Sequence, residues 1–169
     1  SSEGDLGLVN FPISCGKQSQ PQFNRAVAWL HSFEYEEAEK AFTEITAADP
    51  KCGIAFWGIA MSNYHPIWAQ PSAAELRKGK DALEKASAVG AQTQRERDYI
   101  AALDVFYRDT EGLDHRRRFL AYSEAMAGLQ RRYPADNEAG AFYALTLIAK
   151  GMSAGDKSYT NEKEAAEIL

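Results

Sequence analysis

The feature that most constrains the fold is the spacing of the apolar residues, which recur every three or four positions along most of the chain. This spacing gathers them on one face of a helix, whereas a half-buried strand needs strict alternation. An extended pattern is confined to Leu8–Ile13, and no alternating β-branched run follows it. The sequence therefore predicts an all-α fold that begins with an extended segment.

Capping residues and helix breakers set the predicted helix boundaries. Three pairs have the spacing of a capping box, namely Ser19 with Gln22, Ser72 with Glu75, and Thr93 with Glu96. Proline or glycine then ends the helices at Pro50, Pro66, Gly90, Gly112 and Pro134. The predicted helices are 20–32, 35–48, 53–65, 73–88, 94–109, 114–133, 137–151 and one from 161. The last helix has no stop signal, so we expect these residues to be the N-terminal part of a longer protein.

Composition and charge exclude several classes of function. The 169 residues are 45% hydrophobic and 25% charged, as in one globular domain, and the formal net charge is −5. This negative charge disfavours nonspecific electrostatic binding to nucleic acid. No apolar run reaches the roughly 18 residues of a membrane span, so we expect no membrane insertion. The chain also lacks a phosphate-binding glycine loop, a His-Glu-x-x-His motif and a Gly-x-Ser-x-Gly motif, and we expect no enzymatic activity from this segment.

Small, aromatic and proline residues near the start follow the spacing of a helical repeat of about 34 residues. These residues are Ala26, Trp29, Phe33, Tyr35, Ala38, Phe42 and the pair Asp49–Pro50. Small residues let two helices approach each other, and proline ends the second helix. The short connections between successive helices predict antiparallel hairpins.

On these residues the segment 19–52 resembles a tetratricopeptide repeat, most specifically in the run 30–38 followed by Phe42. The resemblance implies a right-handed solenoid of about four helical hairpins, the last one truncated. It also implies an extended N-terminal arm over 1–18 and a repeat domain over 19–169. The chain further resembles the N-terminal part of larger, poorly characterised bacterial repeat proteins, often exported, in the segments Phe11–Cys15, Leu30–Phe33 and His65–Trp68.

The first helix of each hairpin in such a solenoid lines a concave face, which is where these arrays hold a peptide. The residues expected on that face are Gln20, Phe23, Val27, Leu30, His31, Ile54, Trp57, Met61, Tyr64, His65, Tyr143 and Leu147. Most are apolar or aromatic, so we expect a scaffold whose groove binds a protein or peptide. Two alternatives stay open: the arm residues Leu6–Ile13 bury this face, or the repeats are purely structural.

A metal site is the second functional hypothesis. His31 and His65 occupy equivalent positions of neighbouring repeats, and Met61 lies one helical turn before His65. Two imidazoles and a thioether suit copper, and two imidazoles suit zinc, although downstream residues would have to complete the site. One alternative is that each histidine only closes its own helix, where it interacts with the last carbonyls, and another is a pH-sensitive or ligand hydrogen-bonding role.

The two cysteines stand at the same end of adjacent hairpins, with Cys15 just before the first helix and Cys52 at the start of the third. A disulfide between them is geometrically reasonable, and it would indicate an oxidising compartment. Two buried thiols remain the alternative, as does a metal or redox role. We accordingly favour an exported or periplasmic location over a cytoplasmic one.

Overall fold

The computed structural model describes residues 8–65, 70–154 and 166–168, which contain helices and no strand. The helices are α1 (Ser19–His31), α2 (Tyr35–Ala48), α3 (Gly53–Ser62), α4 (Ala73–Val89), α5 (Gln94–Tyr107), α6 (His115–Arg132) and α7 (Asn137–Ala154). Residues 166–168 are helical as well. The predicted all-α class is confirmed. None of the described helices is long and apolar enough to cross a membrane.

Most helix boundaries lie within one turn of their predicted positions, and the largest early end is that of α3. This helix ends at Ser62 instead of His65. The Ser62 hydroxyl donates to the Gly58 carbonyl at 2.9 Å, and the Asn63 amide donates to the Ile59 carbonyl at 2.9 Å. Such side chains compete for helix carbonyls and favour helix ends. The predicted helix from 161 falls on residues of which only 166–168 are described.

Two of the three predicted N-cap residues cap their helices in the structure. Ser72 and Glu75 form the reciprocal capping box of α4, and the Thr93 side chain accepts an amide hydrogen bond at the start of α5. The prediction at Ser19 is wrong. The residue that precedes α1 is Gln18, which makes no side-chain cap bond, and Ser19 is already part of the helix.

Each helix packs against the next along the chain, and α3 also contacts both α1 and α5. One glycine shows how closely these elements approach. A Cβ atom at Gly53, where α3 begins, would lie 2.1 Å from the carbonyl oxygen of Gly90 in the α4–α5 turn. Gly90 has a φ of 78°, which a residue without a side chain adopts at little cost. The start of α3 is therefore fixed against the α4–α5 turn.

Residues 9–13 of the N-terminal arm lie against the helices and add a side chain to the core. Phe11 is fully buried and belongs to the main hydrophobic cluster. Val9 and Ile13 pack against the same cluster and are partly buried. The extended segment expected from the sequence is therefore part of the folded domain.

Candidate functional site

The residues predicted to line a concave groove lie mostly inside the protein. Eight of them are buried, namely Phe23, Val27, Leu30, Ile54, Trp57, Met61, Tyr64 and Leu147, and Tyr143 is partly buried. The structure favours the alternative in which this face is covered, because aromatic side chains from the arm and from later helices lie over the predicted residues. Phe11 of the arm covers Phe23 and Trp57. The sequence had left this burial beneath the arm open as an alternative.

The predicted residues of the main hydrophobic cluster meet different aromatic partners, and Leu147 lies outside that cluster. Phe23 and Trp57 meet around Phe11, at the side of α1, α3 and α5. Another group surrounds Tyr64, whose ring lies 4.9 Å from that of Tyr122 in α6. Leu147 belongs to a smaller cluster on α7. The first group holds an extended segment of chain, and we take it as the candidate site.

An aromatic pocket receives the side chain of Phe11. Its ring centroid lies 5.1 Å from that of Phe23, 5.4 Å from that of Trp57 and 4.8 Å from that of Tyr99. The Phe11 and Tyr99 rings meet edge to face, a favourable arrangement for two aromatic rings. Helices α1, α3 and α5 thus each contribute one wall of this pocket.

Two amide side chains of α1 bind the main chain of the arm. The Phe11 N–H donates to Asn24 Oδ1 at 3.0 Å, and Gln20 Nε2 donates to the Phe11 carbonyl at 2.8 Å. The Ile13 N–H donates to Gln20 Oε1 at 2.9 Å. Gln20 also donates to Asn24 Oδ1 at 3.0 Å, which orients both amides. These contacts involve backbone groups, so they fix the course of the arm without depending on its side chains.

Arg95 of α5 closes the other side of the site. Its Nη1 donates to the Pro12 carbonyl at 3.1 Å, and its Cζ lies 4.2 Å from the centre of the Phe11 ring. Its Nε donates to Asp136 at 2.7 Å, and the Tyr99 hydroxyl donates to the same carboxylate oxygen at 3.0 Å. Burial alone would lower the pKa of Arg95, but the hydrogen bond to Asp136 raises it overall. The guanidinium therefore stays charged above the Phe11 ring.

We call the residues that contact the arm in this way the arm site: Gln20, Phe23, Asn24, Trp57, Arg95 and Tyr99. Sequence reasoning placed Gln20, Phe23 and Trp57 on the concave face but missed Asn24, Arg95 and Tyr99. The alternation of Val9, Phe11 and Ile13 was the available signal that the arm packs against helices. Nothing in the local sequence links Arg95 to a segment 83 residues away.

Of the alternatives that the sequence left open for the two cysteines, the structure shows the disulfide, which anchors the base of the arm. Cys15 is bonded to Cys52, and their Cα atoms are 5.2 Å apart. The Gly16 N–H next to it donates to Asp49 Oδ2 at 3.0 Å. In the described part of the chain, the one group of three acidic, histidine or cysteine side chains close enough to hold an ion is Cys15, Asp49 and Cys52. Because both sulfurs are used in the disulfide, this group is not a thiolate metal site.

The two histidines of the metal hypothesis have different partners. His31 Nε2 lies 2.5 Å from Glu138 Oε2 on α7. His65 Nδ1 lies 3.2 Å from Glu75 Oε2, and its Nε2 lies 2.9 Å from the Ser62 carbonyl oxygen. Each imidazole thus has acceptors of its own, and His65 contacts a carbonyl at the end of its helix, as in the alternative that a histidine closes its helix.

An open cavity of about 440 Å³ lies beside His65, between the start of α2, the end of α3 and the start of α4. Its acidic side chains include Glu39 and Glu75, but Lys78 lies 2.9 Å from Glu39 and His65 pairs with Glu75. Burial would raise the pKa of Glu75, but hydrogen bonds from Ser72 and the nearby His65 lower it overall. Part of this acidic surface is therefore already neutralised within the protein, and the arm site remains the stronger candidate.

Comparison with known proteins gave no match to a protein-family model, to a curated protein or to a solved structure. The resemblance to tetratricopeptide repeats therefore stays a prediction from the sequence. Any proposal for this chain depends on its own residues and geometry.

Proposed function

We propose that this chain is a helical-hairpin scaffold that binds an extended peptide segment on the face formed by α1, α3 and α5. The helix contacts support a solenoid of hairpins as its architecture. The first helices of successive hairpins, α1, α3 and α5, pack against one another in order, whereas the described contact between α2 and α4 is the ion pair of Lys78 with Glu39. Stacked hairpins have this contact pattern, in which one set of helices lines the inner face.

The observation that carries the proposal is the way the arm is held. Side chains of Gln20, Asn24 and Arg95 bind its main-chain groups, while an aromatic pocket takes one side chain. Peptide-binding surfaces commonly combine these two elements, since backbone contacts give affinity and pockets give specificity. In the resting protein the arm is the bound segment.

The metal hypothesis has less support. His31 and His65 contact different carboxylates, and Met61 is buried with its sulfur 3.7 Å from the Tyr122 hydroxyl. Copper or zinc retained by the purified protein and lost on His31→Ala would favour that function instead. The Cys15–Cys52 bond supports the expectation of an oxidising compartment.

The test uses the full chain in a variant whose arm binds its own site less tightly. Phe11→Ala removes the side chain that fills the aromatic pocket, and Leu8→Ala is the matched control, because Leu8 lies on the same arm and is fully exposed. Both variants and the original protein are immobilised and panned against a displayed library of short random peptides. We expect Phe11→Ala alone to enrich peptides above background.

A third variant tests whether captured peptides use the arm site. Adding Asn24→Ala to Phe11→Ala removes the acceptor for one main-chain N–H, so the enrichment should fall. Equal recovery from Phe11→Ala and Leu8→Ala, with both proteins folded, would contradict the proposal and favour a purely structural role for the repeats.

A further inference from the structure

The arm meets the helices with every second residue. Val9, Phe11 and Ile13 pack against the core, whereas Leu8, Asn10 and Pro12 are exposed. A period of two is that of extended chain. The helical core therefore packs against three side chains of the arm, at alternate positions, and leaves the others to solvent.

The geometry of the central pocket favours an aromatic side chain. A guanidinium lies over the face of the Phe11 ring, with Arg95 Cζ 4.2 Å from the ring centre, and this attraction needs the π electrons of an aromatic ring. Tyr99 presents its ring edge to face against the same ring. A leucine or methionine would fill part of the volume, but it would lose both interactions.

The next position suits proline. The site supplies acceptors for the N–H groups of Phe11 and Ile13, from Asn24 and Gln20, and it uses the carbonyl of Pro12 through Arg95. Proline has no N–H of its own to satisfy. It also restricts the preceding residue to extended conformations, which lowers the entropy that binding must overcome.

We propose that the arm site recognises a short extended segment of the form apolar, any residue, aromatic, proline, apolar, and that residues 9–13 are an exchangeable resident occupant. This inference rests on the proposed function and specifies its ligand. The disulfide at Cys15 keeps the base of the arm in place, so the arm competes as a tethered segment. Tethered segments reach effective concentrations on the order of millimolar, and an external segment must overcome this competition.

The test measures binding of a synthetic peptide in trans. The probe is a fluorescein-labelled peptide with the sequence of residues 8–14, titrated with the full chain and followed by fluorescence anisotropy. Because Phe11→Ala weakens the resident arm, this variant should bind the probe at least about tenfold more tightly than the original protein or Leu8→Ala. Folding of each variant is checked by circular dichroism.

Two altered probes test the recognition rule on the Phe11→Ala protein. A probe with alanine in place of phenylalanine should bind about thirtyfold more weakly, as expected for loss of a buried aromatic anchor. A probe with alanine in place of proline should lose affinity by a smaller factor, because only preorganisation is removed. Equal binding of all three probes would overturn the inference.

A milder variant covers the case in which Phe11→Ala does not fold. Phe11→Leu keeps most of the buried volume but loses the contacts specific to a ring. Its affinity for the probe should lie between those of the original protein and of Phe11→Ala. If a folded variant fails to bind the probe while library panning still enriches other peptides, the recognition rule is wrong and the proposed function stands. If neither experiment detects binding, both are wrong.

Discussion

Removing the Phe11 side chain should destabilise the whole domain, although this residue lies outside every helix. Its ring is fully buried against Phe23, Trp57 and Tyr99. Phenylalanine to alanine changes in a core cost about 3–5 kcal/mol, and the value depends on how far the site can collapse. Because the arm is an edge segment that can move toward its pocket, we expect a loss near the lower limit, about 3 kcal/mol.

Urea unfolding of Phe11→Ala and Leu8→Ala measures this loss. The midpoint should fall in Phe11→Ala while the slope with denaturant stays unchanged, since the surface exposed on unfolding is almost the same. Leu8 is fully exposed, so Leu8→Ala should change the free energy of unfolding by less than about 0.5 kcal/mol. A loss below about 1 kcal/mol in Phe11→Ala would refute the reasoning, because a surface contact of the arm would then suffice to explain it.

Three further perturbations test other parts of the structure. Gly53→Ala should lower the thermal midpoint despite the better helix propensity of alanine, because its Cβ would lie 2.1 Å from the Gly90 carbonyl oxygen; an unchanged or raised midpoint would contradict this contact. Glu138→Gln should cost about 1 kcal/mol in urea unfolding, since its carboxylate pairs with His31 across α7 and α1, and no loss would contradict the pairing. Burial and the Asp136 carboxylate raise the pKa of Tyr99 above its ordinary value of 10.0, so the folded state holds the hydroxyl proton more tightly than the unfolded state does. The contribution of the protonated Tyr99 to the free energy of unfolding is therefore present below pH 10 and is lost as the pH rises further. Tyrosinate absorbance should therefore appear for Tyr99 only with unfolding, and ionisation near pH 10 in the folded protein would refute the burial of Tyr99.

Local sequence signals accounted for the helices of this chain. Apolar spacing located them, and breakers such as Pro50 and Gly90 ended them close to the observed positions. Capping worked where the serine or threonine stood outside the helix, as Ser72 does, and failed at Ser19, which lies within α1. The end of α3 was misplaced because side-chain bonds from Ser62 and Asn63 compete with the backbone.

The candidate site needed information that the local sequence does not carry. Gln20, Phe23 and Trp57 were found because helical periodicity places them on one face. Arg95 was missed, since its contact with Pro12 depends on how distant helices stack. The pairing of His31 with Glu138 joins residues 107 positions apart and was missed for the same reason. Helical periodicity therefore brought three arm-site residues together, and the arm as their cover was one of the alternatives that the sequence left open.

Amide hydrogen exchange of the arm tests the central claim most directly. The N–H groups of Phe11 and Ile13 are bound by Asn24 and Gln20, so they should exchange at least about tenfold more slowly than in an unstructured peptide. An exchangeable arm opens without global unfolding, so the same amides should exchange faster than those in the middle of α3. Exchange of both amides at the unstructured rate would contradict a bound arm, and protection equal to that of α3 would show that the arm does not open separately.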